Sequence, residues 1–352
     1  MLRSIHGCSK SKQKYILINY HGDINRDLFD PNARDNCTEP FILLRDEWRK
    51  LGYLVETAIR QDLRDCACLL FWGVPSVVRS SNIKAALRRL GFASSEEPRD
   101  WLDEARRTGL INRLALILWE PPSVRYEDWE SSALNEFSTI FSWNDDLVDG
   151  IHIHKFCLPI PLRVPPLEKT RFSSKKLLVN ISMNKFSAYP HELYSARRDA
   201  IRYFEKTSAN DFDLYGVGWD RTDTPYTSYR GMVKHKWEVL PKYKFSICYE
   251  NISDQPGFIT EKIFDCMRAD CVPIYWGAPN VTEYVDPAAF IDRRQFKSNQ
   301  ELEDYIAGIN EKQYEHFREA IATYLASERF KAFLSPAFVQ RVVQVLGLNR
   351  SN

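Results

Sequence analysis

The stretch over residues 243–277, YKFSICYENISDQPGFITEKIFDCMRADCVPIYWG, constrains the fold more than any other part of the chain. Its apolar run over 245–249 predicts a strand, and the Ser, Asp, Gln, Pro and Gly residues that follow predict a loop. Thr260 is placed to cap a helix that ends near residues 268–270, and the apolar run over 271–276 predicts a second strand. This order indicates a βαβ unit.

Four polar residues fall where such a unit binds its ligands, beyond the carboxyl end of a strand and beside the first turn of the helix. Glu250 and Asn251 begin the loop after the first strand, and Glu261 and Lys262 open the helix. The N-terminus of a helix favours anions, and a lysine in the first turn adds a positive charge that attracts an anion further. Plainer interpretations are a solvated lysine, a glutamate that complements the helix dipole, and an asparagine that begins a turn.

The rest of the chain also alternates strands with helices, which predicts mostly parallel sheets covered on both faces. Further strands are predicted over residues 14–20, 53–58, 67–72, 114–119, 137–143, 152–158, 177–182, 213–217 and 289–291. Further helices are predicted over residues 41–51, 82–90, 94–109, 192–206, 299–309, 313–326 and 336–346.

The segment over 159–176 interrupts this alternation with four prolines and no usable period. We therefore predict two α/β domains, over residues 1–160 and 177–352, that are joined by a linker over 161–176. A cleft between two doubly wound domains is a common place for a substrate.

Composition excludes several classes of protein. The chain has 352 residues and a formal net charge of +1, without the basic excess typical of nucleic-acid binders. No window approaches the eighteen or so consecutive apolar residues of a membrane span, and the N-terminus has no apolar signal region. We therefore expect a cytoplasmic protein with no transmembrane segment and no nucleic-acid partner, and leave open a peripheral membrane contact.

Several strings resemble the α-1,3/4-fucosyltransferases of glycosyltransferase family 10, especially their bacterial, unanchored members. The specific strings are YKFSICYEN, GFITEKIFD and VPIYWGAPNV, in family order and at near-family spacing. Weaker matches are LILWE over 116–120, IFSWNDD over 140–146, LPIP over 158–161, GVGWDRT over 216–222 and VKHK over 233–236.

The resemblance implies a GT-B fold, with two Rossmann-like domains facing a central cleft. It also implies an inverting enzyme that moves fucose from GDP-β-L-fucose to a saccharide hydroxyl, with O3 of N-acetylglucosamine or glucose as the expected position. Protein glycosylation and polysaccharide or lipopolysaccharide synthesis are the expected settings. The alternatives are the same fold with another nucleotide sugar, and a catalytically silent protein that binds a sugar nucleotide or a glycan.

The resemblance assigns the donor diphosphate to Lys262 and to an arginine. Positive charge is needed there because the leaving group gains negative charge in the transition state. Arg221 matches the family arginine, and Arg230 competes for the role because the loop length differs here. Each arginine could instead form a loop ion pair.

Further donor contacts are also implied by the resemblance. Glu261 is expected to contact the donor during catalysis. It would either hold fucose hydroxyls or face the developing oxocarbenium charge. Asn251 is expected to bind a phosphate, ribose or sugar hydroxyl, and Glu250 to bind the nucleoside or fix the turn. Phe258 stands where related sequences carry a tyrosine, so any hydrogen bond from that ring is lost.

The general base is expected from the facing domain. Glu120 ends the strand LALILWE and matches the position of the family base, although Pro121 and Pro122 follow it here. A surface charge is the competing interpretation. Glu127 and Glu130 are poorer candidates for the base.

No metal site is predicted. Asp211-Phe212-Asp213 has the DxD form of metal-dependent glycosyltransferases, but it more simply marks the polar start of a strand. His152 and His154 lack a third partner. Because cations already face the diphosphate, we expect no required cofactor and treat a divalent cation as stimulatory at most.

Overall fold

The computed structural model describes residues 14–20, 27–57, 63–75, 101–168 and 170–348. The helix predicted over 82–90 and the first part of the helix predicted over 94–109 lie outside these residues. Among the helices of the described residues, none combines the length and the apolar content that a bilayer crossing requires.

The N-terminal half forms a parallel sheet in which six strands are described, in the order β2-β1-β3-β4-β5-β6. The strands are β1 (Tyr15–Tyr20), β2 (Leu54–Thr57), β3 (Cys66–Trp72), β4 (Leu114–Leu118), β5 (Thr139–Ser142) and β6 (Ile153–Lys155). Every residue of β4 is buried, as expected for a central strand with helices on both faces.

Helices cover both faces of this sheet. Among the described residues they are α1 (Glu39–Lys50), α2 (Trp101–Arg107) and α3 (Ser131–Leu134), together with the last helix of the chain, α10 (Ser335–Leu346). Apolar residues of α1 and α10 share one core cluster, and those of α2 and α3 share the cluster on the opposite face.

The C-terminal half forms a second parallel sheet, with the order β11-β10-β9-β7-β8 among the described strands. Its strands are β7 (Lys176–Ile181), β8 (Phe212–Tyr215), β9 (Tyr243–Tyr249), β10 (Val272–Trp276) and β11 (Ile291–Asp292). The helices described in this half are α4 (Tyr194–Thr207), α5 (Glu261–Arg268), α6 (Val281–Tyr284), α7 (Asn299–Gly308), α8 (Glu311–Leu325) and α9 (Glu328–Lys331). The predicted α/β class is confirmed.

The predicted element ends differ most at the last strand of the first sheet. The sequence predicts a strand over 152–158, and the structure has one only over Ile153–Lys155. Among the described strands it pairs only with β5, so none of them holds its continuation from the other side. Phe156 and Leu158 instead pack into the core cluster that α10 completes.

The last helix crosses back to the first sheet. The sequence predicted it as a closing element of the C-terminal domain, and in the structure it covers the N-terminal sheet. Phe338, Val339 and Val342 are buried there among residues of α1 and β1. At its start, the Ser335 amide and hydroxyl both donate to the Ile160 carbonyl, each at 2.9 Å.

Asp145 joins the two halves beside β5. Its carboxylate accepts hydrogen bonds from Lys155 (2.6 Å), Tyr284 (2.6 Å) and Asn280 (2.9 Å). Burial opposes ionisation, but these three donors lower the pKa of Asp145 below its ordinary value. Next to it, Asn144 donates to Gln255 at 2.6 Å. The loop after β9 is therefore fixed against the N-terminal half.

Candidate active site

A cleft of about 680 Å³ lies between the two sheets. It is lined by the carboxyl ends of several strands and by the loops that follow them. The residues that line it are Arg34, Trp119, Glu120, Leu158, Ile181, Ser182, Met183, Lys185, Tyr194, Arg197, Gly216, Val217, Met232, Val233, Lys234, Lys236, Asn251, Phe258, Thr260, Glu261 and Lys262. Five of the residues predicted from the sequence are thus brought together: Glu120, Asn251, Phe258, Glu261 and Lys262.

Lys262 lies in the first turn of α5, where Thr260 caps the helix by accepting from the Lys262 amide at 3.4 Å. Its ammonium nitrogen lies 2.9 Å from Glu250 Oε2 and 3.1 Å from Thr260 Oγ1. Burial would lower the pKa of Lys262, but the carboxylates of Glu250 and Glu261 raise it above the ordinary value. Lys262 is therefore charged, and because 23% of its side chain is exposed, its ammonium reaches the cleft.

Glu250 fixes the turn, which is one of its two predicted roles. The side chain is fully buried, and its two oxygens accept from the Thr260 amide (2.8 Å) and hydroxyl (2.9 Å) as well as from Lys262. A buried carboxylate is stable only when it is paired and hydrogen-bonded in this way. Glu250 thus orients Lys262 and the first turn of α5.

Glu261 directs a carboxylate into the same cleft, with 46% of its side chain exposed. Lys236 Nζ lies 3.4 Å from it and 2.7 Å from the buried Asp265. Burial opposes ionisation of Glu261, but the charges of Lys236 and Lys262 lower its pKa to about 2. Burial raises the pKa of Asp265 to about 6 despite the nearby Lys236. The charges of Lys236 and Lys262 therefore favour the ionised form of Glu261.

Arg197 also lines the cleft, and it is not among the site residues predicted from the sequence. It lies on α4, is buried, and its Nη2 donates to the Glu250 carbonyl at 2.9 Å. A sequence signal was present, because Tyr194, Arg197, Ile201 and Phe204 follow helical spacing and share the buried face. An arginine on an otherwise apolar helix face needs a polar partner or a ligand.

Glu120 faces these groups from the N-terminal wall, directly after β4. Trp129 donates to the Glu120 carbonyl at 3.1 Å, and Trp143 donates to the Trp119 carbonyl at 3.0 Å, so the backbone is held from both sides. Among the described residues its carboxylate has no hydrogen-bond partner. Burial raises the pKa of Glu120, and the charges of Lys185 and Lys262 oppose this only in part.

The cleft is electropositive. Among the described residues that line it, six are basic and two are acidic: Arg34, Lys185, Arg197, Lys234, Lys236 and Lys262 against Glu120 and Glu261. Some of these charges are paired with acids outside the cleft, as Lys262 is with Glu250. A cleft with an excess of cations concentrates anions, so this one suits a phosphorylated ligand.

The structure does not bring Arg221 or Arg230 into the cleft. Arg221 is exposed on the loop after β8 and does not line the cleft. Arg230 lies elsewhere because its Nε is 2.7 Å from the buried Asp213, which Lys176 and Tyr243 also contact at 2.7 and 2.6 Å. Which of the two arginines grips a diphosphate remains a prediction, and the arginines that line the cleft among the described residues are Arg34 and Arg197.

Phe258 fills an apolar position that needs no hydroxyl. Its ring is buried and lies 4.6 Å from the Trp143 ring, measured between centroids, so it packs across the junction of the two halves. Asn251 lines the cleft beside it, and its carbonyl accepts from the Leu193 amide at 3.0 Å. No hydrogen bond joins the Asn251 side chain to another described residue, so this side chain is available to a ligand.

Two of the residues considered as metal ligands, Asp213 and His152, have other partners. Asp213 forms the ion pairs described above, and His152 Nε2 lies 2.7 Å from the Phe137 carbonyl. Within the described ranges, no three His, Cys, Asp or Glu side chains cluster closely enough to hold a metal ion. The expectation that no metal is required remains a prediction.

Replacing Gly216 by alanine is expected to destabilise the cleft wall. Gly216 has φ +128°, and an added Cβ would lie 1.9 Å from the Ser182 carbonyl oxygen. Backbone strain and this clash together predict a loss of about 2–4 kcal/mol in the free energy of unfolding. Denaturant unfolding of the variant and the wild type measures this loss. The control is Gly308→Ala, where a Cβ meets nothing within 4 Å; equal effects of the two substitutions would contradict the argument.

Comparison with known proteins gives the family. Residues 178–332 match the C-terminal domain of glycosyltransferase family 10 (fucosyltransferase). Those residues hold β7 to α9, and with them Lys262, Glu261, Glu250 and Arg197. Residues 178–332 thus carry the similarity to a family 10 fucosyltransferase domain. The family predicted from the sequence strings is confirmed.

Relatives match over short segments. The chain is 43% identical over 74 residues to the alpha-(1,3)-fucosyltransferase FucT of Helicobacter pylori, covering 21% of this chain and 15% of that protein. It is 39% identical over 73 residues to an alpha-(1,4)-fucosyltransferase of Arabidopsis thaliana, covering 21% and 18%. The matched segments thus span less than a fifth of either relative's length.

The fold is similar over nearly the whole chain. A crystal structure of an alpha1,3-fucosyltransferase with GDP-fucose aligns with a TM-score of 0.51 at 16% identity, covering 98% of this chain and 94% of the other. At that identity the similarity shows the fold. The predicted GT-B arrangement of two Rossmann-like sheets is confirmed.

Proposed function

We propose that this protein is an inverting fucosyltransferase that uses GDP-fucose as its donor and a saccharide hydroxyl as its acceptor. The observation that carries the proposal is the Lys262–Glu250 pair at the N-terminus of α5, which lies inside the matched family domain and faces an electropositive cleft. The relatives named above are fucosyltransferases, which supports fucose as the transferred sugar.

The donor half of the site stabilises the leaving group. We place the diphosphate against the N-terminus of α5, with Lys262 and Arg197 beside it. As the bond from the anomeric carbon to the β-phosphate oxygen breaks, negative charge grows on GDP, and fixed cations in a partly buried cleft stabilise that charge. Glu250 contributes indirectly, because it keeps the Lys262 ammonium in place before the donor arrives.

The acceptor half supplies the base. We propose that Glu120 takes the proton of the acceptor hydroxyl while that oxygen forms the new bond to the anomeric carbon. GDP leaves from the opposite face of the sugar, so a β-linked donor gives an α-linked product. Glu120 and Lys262 line opposite walls of one cleft, which is the placement that an in-line displacement requires. Glu261, held ionised, faces the positive charge that develops on the fucose ring.

Radiolabelled GDP-fucose with the pure protein and a saccharide array tests this proposal. The expected results are slow release of fucose to water, faster transfer to saccharides with a free hydroxyl at O3 of N-acetylglucosamine or glucose, and an α-linkage by NMR. UDP-glucose and GDP-mannose serve as comparison donors. Faster turnover of either would contradict fucose as the donor sugar. GDP binding in calorimetry with no turnover on any saccharide would support a silent binding protein instead.

Removal of divalent cations is expected to leave most of the activity. Lys262, Arg197 and Lys236 already place positive charge in the donor half, so a bridging metal ion adds little to charge neutralisation. Initial rates are compared with excess EDTA, with EDTA followed by Mn²⁺, and without additions. If EDTA abolishes transfer and added Mn²⁺ restores it, a metal ion is required. The cytoplasmic location and the peripheral membrane contact stay predictions.

A further inference from the structure

Three buried thiols lie together where β9 packs against α5. Cys248 Sγ, on β9, lies 3.2 Å from Cys266 Sγ, on α5. Cys271, which follows α5, is buried beside Cys266, and its amide donates to the Cys266 carbonyl at 3.0 Å. The three thiols are not arranged to hold a metal ion. Two thiols in contact can instead be joined to each other by oxidation.

A small cavity connects this pair of thiols with the cleft region. Its volume is about 30 Å³, and Cys248 and Cys266 line it. Arg197, Lys236 and Lys262 line both this cavity and the cleft, so the two spaces adjoin. One water molecule needs roughly 10–15 Å³ of such space, so the cavity has room for a molecule of two oxygen atoms and excludes larger reagents. Hydrogen peroxide is an oxidant of that size.

The thiol pair lies next to the Lys262–Glu250 ion pair. Cys248 stands two residues before Glu250, and Cys266 stands one helical turn after Lys262. Cys248 Sγ also lies 3.5 Å from the Lys262 carbonyl oxygen. The thiol pair and the ion pair are thus two neighbouring contacts between the end of β9 and the start of α5. A bond formed in the thiol pair therefore changes the geometry of the ion pair.

Cys266 is the more reactive thiol of the pair. Burial opposes its ionisation, but hydrogen bonds from Cys248, Cys271 and Ser246 lower the pKa of Cys266 below its ordinary value. Burial raises the pKa of Cys248. Because the thiolate is the nucleophile in thiol oxidation, Cys266 is expected to react first and Cys248 second.

We infer that Cys248 and Cys266 are a redox modification site, which hydrogen peroxide converts to a reversible disulfide that slows the enzyme. First, the Cys266 sulfur bonds to one peroxide oxygen, the O–O bond breaks, and the released hydroxide takes the thiol proton to form water. The Cys248 sulfur then bonds to the Cys266 sulfur, the S–O bond of the sulfenic acid breaks, and the second hydroxide leaves as water with the Cys248 proton. Two thiols are oxidised, and one peroxide is reduced to two waters.

The disulfide is expected to displace the start of α5. The two sulfur atoms, now 3.2 Å apart, must approach to about 2.05 Å. A misplacement of about 1 Å can lower an enzymatic rate by about 10²-fold. Only the effect on transfer rests on the proposed function, because formation of the disulfide does not depend on it. Disulfides of this kind inside cells are usually transient and redox-sensing.

Treatment of the pure, reduced protein with hydrogen peroxide tests the inference. Non-reducing peptide mass spectrometry is expected to find Cys248 and Cys266 joined, with a mass lower by two hydrogens, and dithiothreitol is expected to separate them. The oxidised protein should transfer fucose at least about tenfold more slowly and bind GDP more weakly, and dithiothreitol should restore both. Cys266→Ala should keep the untreated rate after peroxide. Cys37→Ala, at an exposed cysteine, is the matched control and should stay sensitive.

The outcomes separate this inference from the proposed function. If excess peroxide gives no Cys248–Cys266 peptide, or joins Cys266 to Cys271 instead, the inference is wrong and the fucosyltransferase proposal stands. A disulfide that changes neither the transfer rate nor the GDP Kd would also overturn it. If the reduced protein transfers no fucose, the proposed function fails, and the linked peptide and the GDP Kd still decide the inference. The mass measurement uses the wild type, so it does not depend on how a cysteine variant folds.

Discussion

Replacing Lys262 by alanine is expected to lower the transfer rate by at least about 100-fold, the usual effect of removing one fixed group that stabilises transition-state charge. The ammonium is charged, partly exposed to the cleft and held 2.9 Å from Glu250. The substitution removes the positive charge in the first turn of α5, so GDP binding is also expected to weaken. Initial rates and GDP calorimetry measure the two effects.

The alanine variant has a structural side effect that needs a control. Glu250 is fully buried, and loss of Lys262 leaves its charge without an ion-pair partner, which destabilises proteins by about 3–5 kcal/mol. Lys262→Gln keeps a hydrogen-bond donor for Glu250 but carries no charge. It therefore shows whether lost activity comes from lost stability or from the lost positive charge. Lys331→Ala, at an exposed lysine of α9, controls for the loss of a surface charge. Wild-type transfer by Lys262→Gln would overturn the assigned role.

Replacing Glu120 by glutamine is expected to lower kcat by about 10²–10⁴-fold, the range for loss of a general base. The amide has the size of the carboxylate but cannot take the acceptor proton. Because Glu120 lies on the wall opposite Lys262, the GDP Kd is expected to stay within about twofold of the wild-type value. Glu127→Gln, on the loop after β4, is the matched control and should keep its turnover. An equal loss of GDP binding would show that Glu120 is not the base.

The pH profile gives a second test of Glu120. A general base works in its ionised form, so the rate falls as the pH drops through its pKa. Burial raises the pKa of Glu120, which moves this acid limb above the ordinary glutamate value of about 4.3. Glu261, with a pKa of about 2, stays ionised through the same range and does not produce the limb. The limb should be present for wild type and absent for the residual activity of Glu120→Gln.

Local sequence patterns were sufficient to predict the helix start that carries Glu261 and Lys262 into the cleft. Thr260, Glu261 and Lys262 follow one another at a helix start, and a capping residue with a first-turn charge identifies such a position without any distant contact. The position of Glu120 was predictable for a related reason, since it lies just beyond the carboxyl end of a fully buried strand in a parallel sheet. The paired groups that tune these residues, such as Lys236 with Glu261, come from different segments and were not predicted.

The arginines could not be placed because their partners are distant in sequence. Arg230 is held by Asp213, which also pairs with Lys176, and no local pattern reveals this three-way contact. Arg197 was overlooked because an arginine inside an amphipathic helix is usually solvated, whereas here it points at the carbonyl after β9. Loop paths and long-range ion pairs depend on the assembled fold, so a spacing argument on its own does not give them.

The return of α10 to the first sheet affects how the chain folds as it is synthesised. Domains generally fold as they emerge, with the N-terminal one first. Here Phe338, Val339 and Val342 complete the core that β1 and α1 begin, so part of one face of the first sheet stays uncovered until α10 has been made. The N-terminal core is therefore completed only after the whole second sheet has been synthesised.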